Sequence, residues 1–130
     1  MQIRQVEPEP ILVEDYSQAE SSLWAKDVVI PSYRVIADSY VTFNIILLTK
    51  SGSQVSIYRR YSDFVKLRER LVLSKPLCTV PELPPKSFVR FEKQFLDKRM
   101  KHLEYFMRCV VLNPEICSAP SLKQFFTAGN

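Results

Sequence analysis

Tyr58-Arg59-Arg60-Tyr61-Ser62-Asp63-Phe64 is the stretch that divides the chain. Before it the residues are β-branched and aromatic, as in strands. After it apolar residues recur at helical spacing. A strand end therefore meets a helix start here, with two guanidinium groups and a tyrosine ring at the joint. Ser62 can cap the helix, and Asp63 suits its positive end. Helix starts favour anions because their first backbone N–H groups have no intrahelical partner. The joint predicts a site for a phosphorylated group whose other walls come from elsewhere in the chain.

Working back from the joint, Gln54 to Tyr61 reads as a strand with Val55 and Ile57 on one face. Lys50-Ser51-Gly52-Ser53 is a turn, and Tyr40 to Thr49 is the clearest strand of the chain. Val28 to Ala37 is a further strand in which Pro31, having no N–H to give a ladder, demands an edge or a bulge. This is a three-stranded antiparallel meander. Residues 1–27 show no sustained period and read as an acidic N-terminal extension, leaving 28–130 as the domain. Within the extension, Ile11-Leu12-Val13 could add to a sheet edge or serve as a short recognition segment.

Working forward, Phe64, Leu67 and Leu71 form the buried stripe of a helix that ends near Ser74-Lys75-Pro76. Thr79-Val-Pro-Glu-Leu-Pro-Pro-Lys86 follows, and its prolines impose a stiff, extended course that holds Lys86 in place. A long helix is predicted over about Glu92 to Leu112, with a stripe of Phe95, Leu96, Leu103, Phe106, Met107, Val110 and Val111. Arg99 falls inside that stripe. A guanidinium there is costly unless it snorkels to water, pairs with a core carboxylate or meets a polar ligand. Asn113-Pro114 stops the helix, and a last short one, around Ser121 to Phe126, packs Leu122, Phe125 and Phe126.

Composition narrows the chemistry. The chain has 130 residues, 46% of them hydrophobic, which suits one domain with a real core. Its only glycines are Gly52 and Gly129, which excludes glycine-rich phosphate loops and dinucleotide fingerprints. Cys78, Cys109 and Cys117 lack metal-ligand spacing, so neither a metal nor a cofactor is expected. No paired carboxylates and no nucleophile with a base stand out, so catalysis is disfavoured. The net charge of +4 is uneven: residues 1–23 carry five acids against Arg4, and the rest carry 17 bases against nine acids. A basic body suits an anionic membrane, an acidic partner or nucleic acid. The strands lack exposed aromatics at stacking spacing, which disfavours nucleic acid.

An α+β arrangement of three strands, a helix, a proline-rich loop and a helical subdomain now frames these groups. In this order the chain resembles the phox-homology (PX) family of phosphoinositide-binding domains over about residues 28–127. Arg59-Arg60-Tyr61-Ser62-Asp63-Phe64 is similar to the family's Arg-(Arg/Lys)-Tyr-x-x-Phe joint, and Leu83-Pro84-Pro85-Lys86 to its proline loop ending in lysine. Arg99 stands at the family's usual interval in the following helix. The resemblance implies that Arg60 grips the 3-phosphate of phosphatidylinositol 3-phosphate and that the Tyr61 ring lies beneath the inositol. It implies that Lys86 meets the 1-phosphate and Arg99 the 4- and 5-hydroxyls, with Arg59 as an auxiliary candidate. Guanidinium forks suit phosphate oxygens, and an aromatic face suits the C–H side of a cyclitol. Strict alternation puts Arg60 and Tyr61 on opposite faces, so both line one pocket only if the chain bends there. Phe88 and Val89 follow in the loop that the resemblance dips into the bilayer, with Phe91 able to serve either there or in the core.

The resemblance also implies a peripheral protein on the cytosolic face of endosomal or vacuolar membranes. Some fungal PX proteins resemble adaptors in which a Pro-x-Pro segment recruits a lipid-transfer protein, and Pro8-Glu9-Pro10 has that form. The alternatives are a protein-interaction module that offers Pro81 to Lys86 as an SH3 ligand and a PX domain with altered lipid preference.

Overall fold

The computed structural model describes residues 23–74, 76–87 and 91–128. Strands β1 (Ala25–Ile36), β2 (Tyr40–Thr49) and β3 (Gln54–Arg60) form an antiparallel sheet in the order β1-β2-β3. Helices α1 (Tyr61–Leu73), α2 (Lys93–Val111) and α3 (Pro120–Thr127) follow. This is the α+β meander with helices expected from the sequence. The strand β1 starts three residues earlier than the pattern predicts. Trp24 extends the packing further, donating its ring N–H to the Cys117 carbonyl at 2.6 Å and meeting Phe126 edge-on.

Pro31 acts as its chemistry requires. The β1–β2 register shifts between Val29 and Ser32, around the proline. The Ile30 N–H inside that shift is taken by the Glu104 carboxylate of α2 at 2.8 Å. Arg108 of α2 adds an ion pair to Asp27 at 3.0 Å and a bond to the Val28 carbonyl at 3.2 Å. The irregular half of β1 is thereby fastened to the long helix.

The turn from β1 to β2 uses Ala37 and Asp38 in the left-handed region, at φ 49° and 52°, with the Ser39 N–H bonded back to the Ile36 carbonyl. No glycine marks it, so the sequence carries no strong hairpin signal there. The β2–β3 turn does use one, Gly52 at φ 95°.

The inner sheet face and the helices share one core. Phe43, Ile45, Leu47 and Ile57 from the sheet meet Phe64, Leu67 and Leu71 of α1 and the Leu103–Phe106–Val110 stripe of α2. Phe64 is fully buried, edge-on to Phe43 at 6.3 Å and to Phe125 at 5.2 Å. Burying such a ring contributes roughly 1.5–3 kcal/mol. The outer sheet face mixes Arg34, Asn44, Ser56 and Arg60 with Ile46 and Leu48. Tyr40 and Tyr58 lie on it, yet each ring carries a guanidinium, Arg60 at 4.2 Å and Arg34 at 3.9 Å. Neither is a bare stacking platform for nucleobases.

Candidate functional site

The strand-to-helix joint is built one residue earlier than the sequence implies. Arg60 is at once the last residue of β3 and the N-cap of α1, with extended backbone at φ −88° and ψ 162°. Asp63, not Ser62, closes the joint: its carboxylate accepts the Arg60 backbone N–H at 2.8 Å. Tyr61 is already helical, which breaks strand alternation at the point needed. Its ring turns to the same side as the Arg60 side chain, and both line one cleft of about 310 Å³.

The proline loop forms the opposite wall. Prolines offer no N–H, so the loop is held through its carbonyls. Arg68 of α1 donates from Nε to the Pro81 carbonyl at 2.8 Å. The Tyr61 hydroxyl donates to the Pro84 carbonyl, and Arg99 Nη2 donates to the Pro85 carbonyl. Val80 and Pro84 are buried beneath. Lys86, the next residue, is exposed and lines the cleft.

Arg99 supplies the third cation, from α2. It is 8% exposed, and its guanidinium carbon lies 4.0 Å from the Tyr61 ring centre and 4.7 Å from that of Phe95. Burial pushes its pKa below the usual value, with the Tyr61 side chain acting in the opposite direction. The group nonetheless keeps its proton, as guanidinium does in proteins. Among the described residues its buried Nε has no hydrogen-bond partner and it joins no ion pair. Among the described residues its polar contact is the Pro85 carbonyl and not a core carboxylate.

Arg60, Tyr61, Lys86 and Arg99 are thus brought together, joined by Ser62, Ser87, Tyr40 and Phe91 at the sides and by Phe43 and Leu96 below. No carboxylate lines the cleft among the described residues. The near acid on α2, Asp97, is engaged elsewhere. It accepts from Lys93 Nζ at 2.7 Å and the Tyr33 hydroxyl at 3.3 Å, and the Lys93 hydrogen bond holds its carboxyl below the usual range. The cleft is an uncompensated cationic pocket with aromatic sides, suited to a polyhydroxylated anion.

Arg59 is placed differently from its neighbour. It is 7% exposed on the inner side, donating to the carbonyls of Phe125, at 3.1 and 2.8 Å, and Ala128, at 2.9 Å. Arg59, the auxiliary candidate, thus ties β3 to the end of α3. The pairing of Tyr40 with Arg60 was not read from the sequence. The β2–β3 register carries the signal, since Arg60 faces Thr42 and Tyr40 lies two residues on along the same face. Phe88 and Val89, and Pro8 and Pro10, lie outside the described residues.

The chain is similar to known proteins in sequence and in fold. The chain is 33% identical to the endosomal/vacuolar adapter protein YPT35 of Debaryomyces hansenii, over 95% of this chain and 88% of that one. It is 34% identical to sorting nexin 1 of Arabidopsis thaliana, over 69% of this chain but 24% of that protein. A designed CISK-PX domain superposes with a TM-score of 0.71 at 32% identity, covering 79% of this chain and all of that one. The family model for the PX domain matches residues 47–128, and the chain belongs to that family.

Proposed function

We propose that the chain binds phosphatidylinositol 3-phosphate through this cleft and so attaches its protein to endosomal or vacuolar membranes, where it helps recruit a partner. The carrying observation is that three cations from three elements, with the Tyr61 ring among them, meet in one cleft without a facing carboxylate. Arg60 grips the 3-phosphate, Tyr61 underlies the ring, Lys86 meets the 1-phosphate and Arg99 the ring hydroxyls. PX membership supports phosphoinositide binding, and a relative named as an endosomal/vacuolar adapter supports the location and the recruiting role. No helix among the described residues is long and apolar enough to cross a membrane. We assign attachment to the cleft and to Phe88 and Val89, which follow Lys86 in the chain. Among the described residues the lining holds no His, Cys, Asp or Glu.

The competing use of Pro81 to Lys86 as an SH3 ligand is weakened by geometry. The Pro81, Pro84 and Pro85 carbonyls are already taken by Arg68, Tyr61 and Arg99. A docking partner would have to break the cleft wall. Sedimentation with vesicles carrying one phosphoinositide each tests the assignment. Preference for the 3-phosphate lipid is expected, and indifference among the lipids would refute it. Partner recruitment is assigned to Pro8 and Pro10, with a lipid-transfer protein as the partner class.

A further inference from the structure

Leu73 and Leu77 are 76% and 90% exposed, the two most exposed large hydrophobic side chains among the described residues. They stand around the end of α1, where Ser74 is the C-cap. Lys66 and Arg70 precede them at helical spacing, exposed and in no ion pair among the described residues. Glu69 is the one acid on these turns. The cleft does not use this end of the helix: α1 has 13 residues, about 20 Å of length, and only its first residues line the cleft. A short series of contacts leads from the leucines to the start of the described chain. Asn113 donates from Nδ2 to the Cys78 Sγ at 3.4 Å, the Cys117 N–H donates to the Asn113 carbonyl at 2.8 Å, and the Trp24 ring N–H donates to the Cys117 carbonyl at 2.6 Å. The chain therefore enters the domain, at Leu23, on the same end as Leu77.

We infer that Ile11-Leu12-Val13 docks on Leu73 and Leu77 of its own chain, with Glu14 and Asp15 over Arg70 and Lys66. Residues 1–22 lie outside the described residues, and their sequence supplies the match: three aliphatic side chains followed by two acids meet two leucines preceded by two bases. The ten residues from Val13 to Leu23 reach up to about 33 Å, enough to return to the end of α1. Such a tether raises the local concentration of the triplet to roughly millimolar, so a small apolar contact suffices. A free partner needs roughly 800 Å² on its side, and two leucines fall well short of that. The acidic extension is also drawn to the basic body. Pro8-Glu9-Pro10 adjoins the triplet, so docking holds it at the end of the domain away from the cleft. There a membrane-attached domain meets the cytosol and a recruited partner. That consequence, unlike the docking itself, rests on the cleft and Pro-x-Pro readings.

The test is amide hydrogen exchange of the full chain, read on residues 9–15. These amides should exchange at least about fivefold more slowly than an unstructured peptide of the same sequence. Leu73→Ser with Leu77→Ser should return them to the peptide rate while vesicle binding stays at the parent value. Arg70→Glu should also release them, and Glu14→Arg added to it should restore part of the protection. Exchange at the peptide rate in the parent would overturn the docking. Protection that survives Leu73→Ser with Leu77→Ser would put the triplet elsewhere, such as a sheet edge, and overturn it. Protection that falls on dilution would give the leucines to a second copy and overturn it too. Slow exchange beside normal partner recruitment by Pro8→Ala with Pro10→Ala would uphold the docking and refute the Pro-x-Pro reading alone.

Discussion

The Arg99 guanidinium lies between the Tyr61 and Phe95 rings, 4.0 Å from the first ring centre and 4.7 Å from the second, while its Nε has no partner. A cation so placed is kept from water by aromatic faces and waits for a polar ligand. Arg99→Leu should therefore leave the melting temperature unchanged or raise it, because the hydrophobic isostere removes a desolvated charge. Binding to 3-phosphoinositide vesicles should fall. A marked drop in melting temperature with lipid binding intact would make Arg99 a structural residue.

Arg59 and Arg60 should separate cleanly. Arg59→Ala strands the Phe125 carbonyl and opens a cavity under α3, at a cost on the order of 2–4 kcal/mol. Chemical denaturation should show that loss, while the folded fraction still binds lipid. Weakened lipid binding by Arg59→Ala at unchanged stability would place it at the site after all.

The strands and helices were largely legible because their patterns are local. Tyr40–Thr49 has the predicted bounds, and the stripe of α2 buries the expected residues except Phe95, which is half-buried at the cleft. Pro31 announced its bulge. The ends were less legible where tertiary contacts decide them. Ala25 joins β1 because it is buried in the core beside Trp24, which is bonded to Cys117 far along the chain. Asp63 rather than Ser62 closes the joint because the helix begins at Tyr61, with Arg60 as its N-cap, which puts Asp63 at the third helical position. At the site, Arg99 was visible as an arginine on an apolar stripe. The stacking of Arg60 on Tyr40 depends on strand register, and the opposite fates of Arg59 and Arg60 depend on which face meets α3.

The turn at Ala37 and Asp38 offers a test of local strain. Residues with side chains in the left-handed region cost roughly 1–2 kcal/mol each. Replacing the pair by Ala37→Asn with Asp38→Gly supplies the preferred chemistry for such a turn. Thermal unfolding should show a gain on the order of 1 kcal/mol. A loss would mean that the Asp38 side chain stabilises the turn more than its backbone strains it.

Phe88 and Val89 are assigned to the bilayer. An inserted side chain adds at most roughly 1.5–3 kcal/mol of apolar burial. Changing both to serine should weaken vesicle binding but not binding of a soluble short-chain headgroup. Equal losses in the two assays would assign them to the pocket or the core.

The acidic leader should be repelled by an anionic bilayer. Deleting residues 1–20 should leave vesicle binding unchanged or slightly stronger, and recruitment of a partner in cells should fail. Pro8→Ala with Pro10→Ala should reproduce that failure. Lower thermal stability with recruitment preserved would instead make Ile11-Leu12-Val13 a structural segment.

The most direct test of the cleft is sedimentation of Arg60→Ala with phosphatidylinositol 3-phosphate vesicles. Removing one side of a desolvated charge contact typically costs roughly 2–5 kcal/mol. Affinity should fall by more than about tenfold while the melting temperature stays at the parent value. A folded Arg60→Ala protein that sediments as the parent does would contradict the assignment of the cleft.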